Sequence, residues 1–80
     1  MTRIVERQIQ VKTDSSGDPE SFLWKDRWID ILTVVERWKE VGSWWRGEEE
    51  TCFYLVLSED LGLYELSISE DIWKLTRVYD

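Results

Sequence analysis

The chain contains no histidine, one cysteine, one proline, one methionine and four glycines in 80 residues. Without histidine, the commonest general base and metal ligand near neutral pH is missing, so hydrolase triads built on an imidazole are excluded. The single Cys52 rules out an internal disulfide and any cysteine-based metal cluster, and with no signal-peptide pattern it leads us to expect a cytoplasmic protein. No apolar run approaches the roughly 20 residues of a membrane-spanning helix, so no membrane association is expected. The four glycines are scattered singly, so no phosphate-cradling motif exists. No cofactor and no metal are expected, and nothing in the residue inventory asks for an enzyme.

Aromatic residues are abundant by contrast, with six Trp, three Tyr and two Phe. A chain this short buries only about 60 to 65% of the surface its unfolded form exposes, and large rings answer that problem because each removes roughly 150 to 250 Å² from water. The length supports one domain over residues 1–80. Trp24, Trp28, Trp38 and Trp73 are therefore expected in the core or at its rim.

Charge is unevenly distributed. Residues 1–39 hold seven acids and seven bases, whereas residues 40–80 hold ten acids and three bases and carry the whole net charge of −7. Lys and Arg supply most of the affinity of nucleic-acid binders, so this balance disfavours a polyanion partner. The acids fit a solvated face that keeps an aromatic-rich protein apart from its copies, or a docking surface for a basic partner.

Along the chain, residues 4–11 place Val5, Ile9 and Val11 on one parity and read as a half-buried strand. Residues 13–19 (Thr-Asp-Ser-Ser-Gly-Asp-Pro) read as an exposed loop. Asp14, Asp18 and Glu20 within and beside it lack the rest of an EF-hand pattern, which favours a plain turn over a cation site. Residues 20–24 and 27–38 read as strands around a two-residue turn at Lys25-Asp26, although a primed turn prefers Asn-Gly or Asp-Gly. The second of these strands is ambiguous. Trp28, Ile31, Leu32, Val35 and Trp38 have near-helical spacing, but the β-branched residues Ile29, Ile31, Thr33, Val34 and Val35 favour a strand. Residues 51–57, 63–68 and 72–79 alternate and are joined by short turns, with Trp73, Leu75 and Arg77 on one parity of the last. The expected fold is all-β: a small antiparallel meander of five or six strands, curled into a partly open barrel of SH3-like size.

The candidate site is the glycine-bracketed segment 42–47 with the acids that follow. Trp44 and Trp45 are adjacent and cannot share a face of an extended chain, so one is expected to be partly exposed. With Arg46, Glu48 and Glu49 they form either a ring platform for a ligand or a cap on the barrel end. Catalysis by Glu48, Glu49 and Glu50 is disfavoured, because nothing in an exposed loop desolvates adjacent carboxylates. Cys52 lies in a strand pattern and is expected to be inert.

Trp38, Trp44-Trp45-Arg46-Gly47, Tyr54, Tyr64-Glu65-Leu66, Trp73-Lys74-Leu75 and Arg77-Val78-Tyr79-Asp80 make the chain resemble a small bacterial domain family of unknown function with a Trp-Trp-x-Gly step. Such domains are also found as carboxyl-terminal extensions of proteins like the Y-family DNA polymerases. The resemblance implies an interaction module near DNA transactions and supplies no catalytic residues. The first expectation is thus a non-enzymatic protein-interaction domain, docking through residues 42–50 and an exposed strand edge. The alternative is a single-stranded nucleic-acid module in which Trp44, Trp45 and Arg46 act with a basic stripe of Arg27, Arg37 and Lys39. Monomer and weak homodimer both remain open.

Overall fold

The structure, a computed structural model, describes residues 2–42 and 50–79. It is all-β and antiparallel: β1 (Thr2–Gln8), β2 (Val11–Thr13), β3 (Pro19–Trp24), β4 (Arg27–Val41), β5 (Glu50–Ser58), β6 (Leu63–Ser69) and β7 (Ile72–Tyr79). The spatial order is β1-β7-β6-β5-β4-β3-β2, so a five-strand meander, β3 to β7, is flanked at its two ends by the first two strands of the chain. Since β1 and β2 are separated only by Ile9 and Gln10, the sheet has to curl until its ends approach, forming a strongly curled half-barrel. The main-chain N–H of Ile9 donates to Trp73 O at 3.0 Å and that of Leu23 donates to Gln10 O at 2.9 Å, so the joint bonds to both flanks.

This joint explains why seven strands form where five or six were expected. The segment read as one strand over residues 4–11 divides at Ile9-Gln10, where the chain passes from β7 to β3. Val5, Ile9 and Val11 nevertheless all pack against the core, as their shared parity implied. A further irregularity lies between Ile4 and Arg7, where Glu6 adopts φ 50°.

β4 resolves the strand-or-helix ambiguity in favour of a strand, interrupted by two irregularities. Pairing to β5 shifts between Ile31 and Thr33 and again between Val34 and Glu36, which leaves Leu32 and Val35 as bulge residues. Two inserted residues set the inward positions at Ile29, Ile31, Val34 and Arg37, so of the five residues at helical spacing only Ile31 faces the core, and Trp28 and Trp38 face outward. The bulged Leu32 and Val35 are exposed. The same effect corrects the reading of β7: a register shift beside Thr76 turns Leu75 and Val78 inward and leaves Arg77 facing outward opposite Glu65.

The core lies on the inner face and consists of Phe22, Ile29, Val56, Leu66, Leu75 and Val78. Phe22 meets Tyr64 edge to face at 5.1 Å. The assignment of four tryptophans to core or rim needs correction at Trp28 and at Trp38, the latter stacked on Phe53 on the outer face. Trp24 and Trp73 pack against the core, but Trp28 is exposed on the outer face beneath Lys12, whose Nζ lies 4.4 Å from the ring centroid. The inner space of so small a curled sheet is filled by Val, Leu, Ile and Phe, and an indole is too large to be enclosed there.

Lys25 and Asp26 form the β3–β4 turn with φ of 51° and 63°, and Glu70 and Asp71 form the β6–β7 turn with the same pair of values. Both are primed turns whose twist suits the hairpin, built from residues that bear a steric penalty at positive φ. Asp26→Gly should therefore raise stability by about 0.5 to 1 kcal/mol. Thermal denaturation should show a Tm higher by a few degrees; an unchanged or lower Tm would mean that the Asp26 side chain stabilises the turn in another way.

Candidate functional site

Among the residues singled out from sequence, Trp44, Trp45, Arg46, Glu48 and Glu49 lie outside the described residues. Arg27, Arg37 and Lys39 are described, and the strand does not gather them into one stripe. Arg27 stands ten positions before Arg37, roughly 30 Å along a strand rising about 3.3 Å per residue, and its charge falls on Asp60 in the β5–β6 turn. Arg37 and Lys39 do share the inner face, as their partners Tyr54 and Cys52 show. Each is matched by a carboxylate: Arg37 Nη2 lies 3.1 Å from Asp18 Oδ2, and Lys39 Nζ lies 3.5 Å from Glu50 Oε1. Asp14 is also occupied, because its Oδ1 accepts from the main-chain N–H groups of Ser16 and Asp18 at 2.9 and 3.1 Å and so closes the loop. Among the described residues no group of three His, Cys, Asp or Glu side chains is placed to hold a metal ion, and no helix is long and apolar enough to cross a membrane.

Cys52 is half-buried on the inner face opposite Lys39 and Ile68. Its neighbour on that face, Tyr54, packs against Trp73 at a centroid distance of 5.5 Å. Burial pushes the Tyr54 hydroxyl above its ordinary pKa, with Cys52 and Asp18 acting in the same direction and Arg37 and Lys39 opposing them.

Sequence reasoning expected an exposed strand edge without naming the strand, and the strand is β4. β3 pairs with β4 only from Arg27 to Asp30, whereas β5 accompanies it from Ile31 to Val41. Among the described residues, the stretch from Leu32 to Val41 therefore has a strand on one side only. Its side chains are sorted by face. Glu36, Trp38 and Glu40 point outward, opposite Leu55, Phe53 and Thr51, while Arg37 and Lys39 point inward. The alternation Glu-Arg-Trp-Lys-Glu was the available signal.

Outward from this edge runs a groove of about 310 Å³ across the outer face. One wall is aromatic: the Trp38 and Phe53 rings stack at 5.4 Å with planes 8° apart. Trp38 Nε1 donates to Glu40 Oε2 at 3.1 Å, which fixes the indole beside a carboxylate. Glu65 lies in the lining as a buried carboxylate with 6% exposure. The Thr76 hydroxyl is within donating distance of Glu65 Oε2 at 2.6 Å and of Glu65 O at 2.9 Å. Tyr79 donates to Glu65 Oε1 at 3.3 Å, and Arg77 Nε stands 3.8 Å from Oε2. The bulge at Thr76 is what delivers that hydroxyl to Glu65, so an irregularity in the ladder satisfies a buried charge.

A second polar cluster, at the β5–β6 turn, is structural. The buried Ser58 hydroxyl donates to the Asp60 carboxylate and accepts from Gly62 N–H at 3.0 Å. Position 62 is tight for a side chain, since a Cβ would lie 3.0 Å from Tyr64 Cε2 and 3.2 Å from Ser58 Oγ and those groups would have to give by a few tenths of an ångström.

A small, strongly curled antiparallel β domain with an open, charge-sorted edge is the class these elements define. By sequence the chain belongs to the family described as domain of unknown function (DUF6504), whose model matches residues 1–80. No curated protein and no solved structure matches it.

The Ser58 hydroxyl, helped by the Gly62 main chain and opposed by slight desolvation, holds the Asp60 carboxyl below its ordinary pKa. A depressed folded-state pKa contributes stability above the unfolded value, and that contribution is lost as pH falls through the folded one. Ser58→Ala should move the Asp60 titration back up toward the ordinary carboxylate range. It should also cost about 1 to 2 kcal/mol, because Gly62 N–H loses its acceptor. An NMR titration of the Asp60 side chain checks the first outcome and denaturant unfolding the second; an Asp60 pKa unmoved by the substitution would contradict the assignment.

Proposed function

We propose that this domain is a non-enzymatic protein-docking module, and that its contact surface is the open edge of β4. The observation that carries the reading is that, among the described residues, Leu32 to Val41 in the longest strand of the sheet pairs on one side only. An unpaired edge offers a row of main-chain donors and acceptors to an extended segment, and pockets beside it select that segment's alternate side chains. The groove beside Trp38 is such a pocket. The lack of histidine and the hydrogen-bonded, paired state of Glu65 speak for binding over catalysis. A domain of this kind suits attachment to larger proteins, as the resemblance to polymerase extensions implies.

The nucleic-acid alternative draws less support, since Arg27 is remote from Arg37 and Lys39, and the latter two already face Asp18 and Glu50. Panning a random peptide library against the intact protein, followed by hydrogen exchange of the enriched complexes, tests the docking reading. Enriched peptides should slow exchange at alternate amides between residues 32 and 41. Peptides that protect another surface, or no enrichment at all, would refute it.

A further inference from the structure

Resting on the docking reading, the charges on the two faces of the β4 edge point to the chemistry of the segment it takes: we infer that the edge and its adjoining groove accept an extended segment with Lys or Arg at the alternate positions that face outward beside Trp38. On the outer face Glu36 and Glu40 flank Trp38 along the edge, and Glu6 and Glu65 line the groove or lie level with it. Among the described residues the cations of that face near the groove are Arg77, already 3.8 Å from Glu65, and Lys74, opposite Ser67, while Lys12 lies away from it over the Trp28 ring. Four carboxylates thus stand against two cations. The surplus is presented next to the stacked Trp38 and Phe53 rings, a wall against which a guanidinium or ammonium group gains ring attraction as well as charge pairing.

Glu65 strengthens the inference because it is over nine-tenths buried and incompletely used. A carboxylate offers about four acceptor positions, yet among the described residues Oε1 receives only the 3.3 Å bond from Tyr79.

A second copy of the same edge does not fit. In a two-fold antiparallel pair the two strands keep their faces on the same sides, so opposed residues come from one face. Centring that pair on Trp38 sets Glu36 against Glu40 and Arg37 against Lys39; centring it on residue 36, 37, 39 or 40 sets that charge against itself. Like charges directly opposed destabilise a sheet pair. The same sorting that repels a copy complements a strand with cations on the outer face, and it leaves the inner-face cations to Asp18 and Glu50.

Three synthetic peptides test this, each alternating Val with one other residue: Lys, Gln or Glu. Binding to the intact protein is followed by calorimetry, by hydrogen exchange at residues 32–41 and by the NMR shift of the Trp38 indole N–H. The Lys peptide should bind at least about tenfold more tightly than the Gln peptide, with the Glu peptide weaker still. It should also shift the Trp38 indole and lose about tenfold on Glu6→Gln/Glu40→Gln. Equal binding of the Lys and Gln peptides, an unmoved indole, or full affinity in the double variant would overturn the cation selectivity while amide protection still upheld edge docking. Failure of all three peptides to protect the edge would overturn both.

Discussion

Closure of the sheet through Ile9 and Gln10 is the constraint on which the rest of the structure depends. Two main-chain hydrogen bonds, one to Trp73 O and one from Leu23 N–H, let a continuous run of chain serve as the neighbour of both β7 and β3. With only a two-residue joint between β1 and β2, the sheet has no freedom to lie flat. The resulting inner volume is small, and it is filled by Phe22, Ile29, Val56, Leu66, Leu75 and Val78. The described tryptophans, Trp24, Trp28, Trp38 and Trp73, go to the rim or to the outer face. Closure also uses β3 to meet β2, so β3 covers only the first few residues of the much longer β4.

Much of the architecture was legible in the sequence, and the parts that were not share one cause. Alternation located β5 and β6, and turn residues marked the loop at residues 13–19, whose ends Thr13 and Pro19 belong to β2 and β3, while the turn at 25–26 was inferred from the strands around it. Parity put Val5, Ile9 and Val11 on the core side. Periodicity failed wherever a bulge interrupts it: at Leu32 and Val35, which fit a helical spacing yet stand exposed at bulges, and at Thr76, where Arg77 moves from the core side to the outer face. A bulge is invisible to a rule that counts in twos. The joint at Ile9-Gln10 escaped for a related reason, since nothing local distinguishes a strand that changes partners from one that keeps them.

The site was less legible than the fold. Attention to Trp44, Trp45, Arg46, Glu48 and Glu49 followed from ring and charge density, and those residues lie outside the described part of the molecule. The edge of β4 is a property of what fails to pair, and pairing is a matter of topology that local sequence does not carry. The separation of Glu36, Trp38 and Glu40 from Arg37 and Lys39 was written plainly in the sequence, but its meaning depends on the strand having no second neighbour among the described residues. Charge sorting of this kind also limits edge-to-edge association of copies, a hazard for any domain that leaves a strand uncovered.

Native-state hydrogen exchange of the free protein, followed amide by amide through β4, tests the central claim most directly. In an antiparallel ladder successive residues turn their N–H groups to opposite sides. From Leu32 to Val41 protection should therefore alternate, slow where the amide reaches β5 and fast where it faces the open edge, with the phase slipping at each bulge. Uniform protection across that stretch would show that the edge is already covered and would contradict the account.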